Sequence, residues 1–169
     1  MPRGDLKMEK ENILTKPRVL KVVVNVGIKE APRDEAILTK VSEELAKITG
    51  QRPKVCRAKK SIAGFKLVKG APIGLMVTLR GKKMADFLRK LFSIVLPRVR
   101  DFRGLSSRGF DGGGNYTIGI KEHSVFPEAE FSKTEKIFGL EITIVTNSKK
   151  DEEGKVLLES LGAPFRKGE

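Results

Sequence analysis

The sequence is poor in the residues that build metal centres and disulfides. Its 169 residues include one cysteine, Cys56, one histidine, His123, and no tryptophan. A single cysteine excludes an internal disulfide framework and a zinc site made of several cysteines. A lone histidine without ligating neighbours does not hold a metal ion either. We therefore expect no metal, no cofactor and a reducing compartment.

Long hydrophobic runs are also absent. No stretch approaches the roughly 20 apolar residues of a membrane-spanning helix, and residues 1–16, MPRGDLKMEKENILTK, lack the apolar segment of a signal peptide. We expect a cytoplasmic protein that does not contact a membrane. Residues 1–16 are predicted to be a short flexible segment, and residues 17–169 to form a single domain.

Acidic side chains are missing from one long interval. The chain carries 34 Lys and Arg against 21 Asp and Glu, a net charge of +13, and between Glu44 and Asp86 it has no acid. An excess of one charge repels itself in a compact domain, so a polyanionic partner is the simplest explanation. The cations of this interval are Lys47, Arg52, Lys54, Arg57, Lys59, Lys60, Lys66, Lys69, Arg80, Lys82 and Lys83.

Four segments alternate apolar and polar residues with the period of a β-strand: residues 19–28, 73–80, 115–121 and 140–147. One face of each strand is therefore predicted to lie in the core, and the other to face solvent or a partner. The core positions predicted for the first two strands are Leu20, Val22, Val24, Val26, Ile28, Ile73, Leu75, Val77 and Leu79.

Three further segments have helical periodicity. Residues 34–49 place their apolar side chains on one stripe, and Asp34 suits the start of a helix. A second helix is predicted over residues 82–96, ending before Pro97, and a third over residues 149–161. Together these elements predict an α+β fold: an open antiparallel β-sheet with α-helices packed on one face and a basic glycine-containing loop.

The second face of the predicted sheet carries small, polar and basic side chains. Small residues let a flat partner come close, and Asn and Thr hydrogen-bond to sugars, phosphates or base edges. For any single residue, a plain solvated face with Thr chosen for strand propensity is the alternative. The polar and charged residues of this face are Lys21, Asn25, Thr78, Arg80, Asn115, Thr117, Lys121, Glu141, Thr143 and Asn147.

The segment CRAKKSIAGFKLVKGAPIG, residues 56–74, combines cations with glycines. Lys and Arg attract a phosphate backbone, and the glycines let the chain follow an irregular RNA surface. Phe65 and the aliphatic residues near it are predicted to anchor the segment to the domain; stacking of Phe65 on a base is the alternative. We interpret the segment as an arm of an RNA-binding surface.

No catalytic arrangement is evident. Gly64–Gly70 and the glycines at 112–114 lack the following helix that a phosphate-binding loop requires, and the second run is interpreted as a flexible turn that enters a strand. Glu122, Glu128 and Glu130 are interpreted as surface carboxylates rather than an acid–base pair. The protein is therefore not expected to be an enzyme.

Several stretches resemble one family and occur in that family's order. They are KPRVLKVVVNVGI, ITGQRPKVCRAKKSIAGFKLVKGAPIGLMVTLRG, LPRVRDFRGLSSRGFDGGGNYTIGIKE, FPE and GLEITIVTNSKKDEEGKVLLESLGAPFRK. Over residues 17–167 the chain resembles the bacterial ribosomal protein large-five family, which binds 5S rRNA in the central protuberance of the large subunit. The resemblance implies an antiparallel sheet backed by helices, whose open face holds 5S rRNA, with further contact to 23S rRNA.

The resemblance also implies roles for particular residues. Asn25, Gln51, Thr78 and Arg80 match positions that contact 5S rRNA in the family. Three cations and one threonine are added to these four residues. The predicted rRNA-binding set is therefore Lys21, Asn25, Gln51, Lys54, Thr78, Arg80, Thr117 and Lys121.

A second functional region is implied by the loop at residues 57–71, which matches the family segment that reaches toward the elbow of the P-site tRNA. The family also contacts small-subunit head protein thirteen in an intersubunit bridge, and other proteins of the central protuberance. The cations expected to contact tRNA are Arg57, Lys59, Lys60, Lys66 and Lys69.

Three other classes of protein compete with this interpretation. A free-standing RNA chaperone or regulator shares the charge but would not sediment stoichiometrically with large subunits. A nucleotide-dependent enzyme is disfavoured because its glycines lack the helix context. A peripheral membrane protein is disfavoured because no predicted helix pairs a basic face with a broad aromatic one.

Overall fold

The computed structural model describes residues 15–31, 33–131 and 136–168. Residues 1–14 of the predicted N-terminal segment lie outside this described part. A π-helical turn spans Leu91–Val95. Short 3-10 turns occur at Ala63–Phe65, Ser107–Gly109, His123–Val125 and Pro127–Phe131. The helices and strands are β1 (Val19–Gly27), α1 (Glu35–Thr49), β2 (Lys54–Arg57), β3 (Pro72–Leu79), α2 (Gly81–Lys90), α3 (Leu96–Arg98), β4 (Tyr116–Ile120), β5 (Leu140–Thr146) and α4 (Asp151–Ser160).

The strands form one antiparallel sheet in the order β2-β3-β1-β5-β4. The predicted α+β fold with an open antiparallel sheet is confirmed. β2 was not predicted, because its four residues are too few to show alternation and both its ends, Lys54 and Arg57, are basic. β2 belongs to the sheet through its pairing with β3.

One face of the sheet is buried beneath the helices. Val22 and Val24 of β1 and Ile142 and Ile144 of β5 have no exposed surface, and they share a core with Leu45 of α1 and with residues of α2 and α4. Removing these apolar side chains from water stabilises the fold by about 25 cal/mol per Å² of buried apolar area.

Two residues predicted to lie in the core do not. Leu20 and Ile73 are each 39% exposed. The pairing of β1 with β5 shifts register between Val19 and Lys21, and the pairing of β2 with β3 shifts opposite Ile73. Each shift is a bulge, which adds one residue to a strand and breaks the alternation of its faces.

The first helix begins and ends as the sequence predicts. The Asp34 carboxylate oxygen Oδ1 accepts hydrogen bonds from the N–H groups of Ala36 at 2.9 Å and Ile37 at 3.3 Å. Gly50 ends the helix at φ +70, and its N–H donates to the carbonyl of Ala46. A carboxylate cap of this kind contributes about 1 kcal/mol to the stability of a helix.

The second helical region extends beyond its predicted end before Pro97. The N–H of Leu96 donates to the carbonyl of Leu91, five residues earlier, and α3 continues through Pro97 to Arg98. A π-helical turn of this kind alters the hydrogen-bond ladder next to the proline, which has no N–H to donate. The helical region therefore continues past this point instead of stopping.

The glycine turn before β4 makes hydrogen bonds within itself and to α4. Asp111 accepts from the N–H of Gly113 at 2.8 Å and from the side-chain amide of Asn115 at 2.8 Å. These donors lower the pKa of Asp111, the Asn115 side chain contributing most. The N–H of Gly114 donates to Asp151, the first residue of α4, at 3.0 Å. The turn thus packs on the start of α4.

Among the described residues, no helix combines the length and the apolar character needed to cross a bilayer.

Candidate nucleic-acid interface

The face of the sheet opposite the core gathers predicted contact residues from four strands. Lys21 and Asn25 lie on β1, Lys54 on β2, Thr78 on β3 and Thr117 on β4, and we call these residues the polar sheet face. Lys54 and Thr117 are exposed, and the other three are half-buried. None of them is sealed beneath the helices, so the face is open to a partner.

Strand register arranges this face in two rows. Neighbouring strands are about 4.8 Å apart, so a row across the whole sheet extends about 20 Å. The first row, read from β2 to β4, is Lys54, Met76, Asn25, Glu141 and Gly119. The second row, read from β3 to β4, is Thr78, Val23, Thr143 and Thr117.

The second row ends in two adjacent hydroxyl groups. Thr117 Oγ1 and Thr143 Oγ1 are 3.3 Å apart, and either atom can donate to the other. One hydrogen bond leaves each hydroxyl with further donor or acceptor capacity. Thr143 was not among the predicted site residues, although the alternation of residues 140–147 had placed it on this face.

One acid lies on the same face. Glu141 of β5 is exposed and pairs with Asn25 on one side and Gly119 on the other. A carboxylate at this position repels a phosphate backbone at short range. The same alternation placed Glu141 on this face, but the charge was not weighed as part of the site.

Gln51 has a structural contact within the domain. Its Nε2 donates to the backbone carbonyl of Thr78 at 3.0 Å, and its side chain is half-buried. The side chain therefore joins the chain after α1 to the β3 strand. Its amide retains a second N–H and its oxygen for a partner.

Arg80 and Lys121 lie at the ends of strands rather than within them. Arg80 follows β3 and precedes α2 directly, and Lys121 follows β4. Both are exposed. They therefore add positive charge next to the polar sheet face, just past the ends of β3 and β4.

The residues from the last position of β2 to the start of β3, which we call the basic segment 57–71, form a closed hairpin extension. The N–H of Ala58 donates to the carbonyl of Ala71 at 2.9 Å, and the N–H of Gly70 donates to the carbonyl of Ala58 at 2.8 Å. The Arg57 guanidinium donates to the carbonyl of Gly70 at 3.1 Å. The cations of this segment, all exposed, are Arg57, Lys59, Lys60, Lys66 and Lys69.

The prediction that Phe65 anchors the basic segment 57–71 to the domain is wrong. Phe65 is 80% exposed, and its neighbours Val68 and Ile62 are 68% and 44% exposed. The two-way pairing of Ile62 with Leu67 closes the turn and leaves Phe65 at its outer end. Local sequence cannot show this, since apolar residues are usually buried.

Two titratable residues outside the interface are held in pairs within the domain. His123 is buried against Glu44 with 3.2 Å between Nε2 and Oε2. Glu128, predicted to be a surface carboxylate, is partly buried and pairs with Lys90 at 2.6 Å. In the described part of the chain, no group of three or more His, Cys, Asp or Glu side chains is placed to hold a metal ion.

Comparison with known proteins gives matches along nearly the whole chain. A family model described as ribosomal protein L5 matches residues 12–67, and one described as the C-terminus of the same ribosomal family matches residues 72–165. The chain is 56% identical over 156 residues to the large ribosomal subunit protein uL5 of Citrifermentans bemidjiense, covering 92% of this chain and 87% of the relative.

Two further relatives carry the same name. The large ribosomal subunit protein uL5 of Halothermothrix orenii is 55% identical over 159 residues, with 94% of this chain and 89% of the relative covered. The uL5 protein of Syntrophotalea carbinolica is 52% identical over 161 residues, with 95% and 88% covered.

Proposed function

The chain belongs to the ribosomal protein L5 family, and we propose that it binds 5S rRNA through its polar sheet face. As a member of this family it is a structural, non-enzymatic component of the large ribosomal subunit, and its place is the cytoplasmic ribosome. Its role is to hold RNA in position.

The observation that carries the proposal is the open row of hydrogen-bonding side chains across the sheet. Thr78, Thr143 and Thr117 share one row, and Lys54 and Asn25 share the next. A flat surface of short polar side chains, bordered by Arg80 and Lys121, suits contact with ribose hydroxyls and phosphates. It does not require an enclosed pocket.

Arg80 is assigned the largest single contribution. Its exposed guanidinium at the end of β3 presents a fork of donors that matches a phosphate. Gln51 is assigned a contact through the amide hydrogen that its bond to Thr78 leaves available. Lys21, Lys54 and Lys121 attract phosphates by their charge but do not fix the orientation of the contact, because an ammonium group contacts phosphate as a point charge.

The basic segment 57–71 is assigned a separate role, contact with the elbow of the P-site tRNA. Its exposed cations and its projection between β2 and β3 support this assignment. Further contacts to 23S rRNA, to neighbouring proteins of the central protuberance and to small-subunit head protein thirteen across an intersubunit bridge complete the proposed set of partners.

The test of 5S rRNA binding compares two charge reversals in the purified protein. Arg80→Glu should weaken binding at least about tenfold, the effect of losing one hydrogen bond to a charged group. Lys149→Glu changes charge equally at an exposed residue before α4 and should have little effect. Equal losses would show that the polar sheet face is not the contact.

The salt dependence of the same binding reaction tests the electrostatic account. If about five phosphates are neutralised, the log–log plot of affinity against salt should have a slope of about −4. A flat plot would refute it. Stoichiometric sedimentation with large subunits separates this function from that of a free-standing RNA chaperone, which would distribute among many RNAs.

A further inference from the structure

Phe65 is exposed where an aromatic ring is normally buried. At 80%, it is the most exposed of the large apolar side chains that the structure describes. Leaving an aromatic ring in water forfeits the stability that its burial would give. An exposed ring surrounded by charged residues marks a site of interaction when it belongs to a larger apolar surface.

The backbone holds Phe65 in this position. Ile62 and Leu67 exchange two hydrogen bonds, with the N–H of Ile62 2.9 Å from the carbonyl of Leu67 and the reverse pair 3.1 Å apart. Between them the N–H of Phe65 donates to the carbonyl of Ile62 at 3.2 Å. Lys66 takes a φ of +50, which is uncommon for a residue with a Cβ. The turn is therefore specified, and the exposure of Phe65 follows from it.

Phe65 also lines a cleft between the basic segment 57–71 and the end of β1. The cleft has a volume of about 710 Å³. The acid of its lining, Glu30, pairs with Lys136 at 2.7 Å, so the net charge presented to an occupant is positive. Besides Phe65, the apolar and small residues of the lining are Gly27, Ile28, Leu67 and Ile73, and the cations are Lys29, Arg33 and Lys66.

This combination selects among possible occupants. Interfaces that bind an apolar peptide have few charged residues at their centre. This cleft has three cations among its lining residues, so it suits an apolar peptide poorly. An unpaired nucleotide presents a flat aromatic face together with a phosphate. Proteins bind such nucleotides by stacking the base on an aromatic side chain and placing cations along the backbone.

We propose that Phe65 is a stacking platform for an unpaired base at the elbow of the P-site tRNA, with Lys29, Arg33 and Lys66 contacting its phosphates. The inference rests on the proposed tRNA contact of the basic segment 57–71, and it assigns that contact an aromatic residue and a cleft. The elbow is the suitable source because RNA exposes unpaired bases in its loops rather than in its stems.

The test uses ribosomes in which a variant replaces this protein, and it measures the rate at which tRNA dissociates from the P site. Phe65→Ala and Phe65→Leu should each speed dissociation about fivefold or more, since stacking on one base is lost. Phe65→Trp should keep the slow rate. Val156→Ala, at an apolar residue of α4 that is 66% exposed and lies outside both the basic segment 57–71 and the lining of the cleft, should behave as wild type.

Each alternative has its own outcome. If Phe65→Leu keeps the slow rate, the occupant is an apolar protein surface and the proposal is wrong. If all Phe65 variants behave as wild type while Lys66→Ala combined with Lys69→Ala speeds dissociation, the tRNA contact stands without the stacking platform. If the lysine variant is also silent, the proposed tRNA contact itself fails.

The purified protein distinguishes the source of the base. The chain has no tryptophan, so Phe65→Trp provides a single fluorescent reporter. Its emission should stay unquenched when 5S rRNA binds, and Phe65→Ala should leave the affinity for 5S rRNA unchanged. Quenching by 5S rRNA would assign the cleft to that RNA and overturn the proposal for tRNA.

Discussion

His123 Nε2 lies 3.2 Å from Glu44 Oε2, with the two side chains only 5% and 6% exposed. The imidazole ring stacks on Phe138 with 3.9 Å between the ring centroids, and its Nδ1 accepts the N–H of Phe138 at 3.3 Å. Because Nδ1 is an acceptor, the neutral ring carries its proton on Nε2, the nitrogen that faces the Glu44 carboxylate. The pair joins α1 to the turn that follows β4.

This pair makes the stability of the fold depend on pH. Burial lowers the pKa of His123, and it outweighs the nearby Glu44, which raises the pKa. The unfolded chain therefore takes up a proton at a higher pH than the folded chain does. The stability given by the neutral ring is complete above the ordinary pKa of 6.5 and is lost as the pH falls below it. Urea unfolding at a series of pH values should show this loss as the pH is lowered from about 7.

The control is His123→Gln, which keeps a donor toward Glu44 but does not titrate. His123 is the only histidine of the chain, so this variant should have a flatter stability profile over the same pH range, whatever its absolute stability. An unchanged slope would assign the titration to a carboxylate instead.

Lys90 connects three parts of the fold. Its Nζ donates to the carbonyl of Ile48 at 2.6 Å and to Glu128 Oε1 at 2.6 Å, and it lies 5.8 and 5.9 Å from the ring centroids of Phe87 and Phe126. Lys90→Met should lower the free energy of unfolding by about 1–3 kcal/mol, because it leaves a partly buried carboxylate without its donor.

The neighbouring residue provides the control. Arg89 is exposed on the same helix, and Arg89→Met should change the free energy of unfolding by no more than about 0.5 kcal/mol. Urea unfolding at pH 7 measures both. Equal effects would mean that Lys90 contributes only as an ordinary surface residue.

The sheet was predictable where its pairing is regular. Val22, Val24 and Val26 face the core as their alternation indicates, because each pairs with a partner strand without interruption. Leu20 and Ile73 depart from the pattern because the bulges beside them depend on the register of neighbouring strands. Register is a property of two strands, so one strand's sequence does not contain it.

The candidate site was predictable in part for the same reason. Alternation places Asn25, Thr78 and Thr117 on one face, but only the register brings Thr143 beside Thr117. The exposure of Phe65 depends on hydrogen bonds between residues on either side of it. A hydrophobic side chain in a sequence gives no sign that the surrounding backbone holds it in solvent.

Gly154 of α4 gives a prediction in which two effects oppose each other. In a helix interior, Gly→Ala normally stabilises by about 1 kcal/mol. Here an added Cβ would lie 2.6 Å from the carbonyl oxygen of Gly114, a backbone atom of the glycine turn. Gly154→Ala should therefore destabilise the protein by about 1–3 kcal/mol, measured as the urea midpoint.

Gly64→Ala is the matched substitution, since an added Cβ meets nothing within 4 Å there. It should leave the midpoint unchanged or raise it slightly. If Gly154→Ala stabilises the protein, α4 and the glycine turn separate at little cost, and the close contact between them does not restrain the fold.

Glu141 gives a prediction of improved binding. It is the acid on the proposed 5S rRNA contact, next to Asn25 in the row across the sheet, and its negative charge opposes the phosphates that the neighbouring cations attract. Glu141→Gln should raise the affinity for 5S rRNA several-fold at low salt, and the gain should shrink as salt screens the charges.

Glu159→Gln makes the same charge change at an exposed residue of α4 and should have a much smaller effect. Filter binding of both variants at two salt concentrations measures the difference. Equal gains would indicate that only net charge matters; a loss of affinity in Glu141→Gln would mean that the carboxylate accepts a hydrogen bond from the RNA, from a ribose hydroxyl or a base amino group.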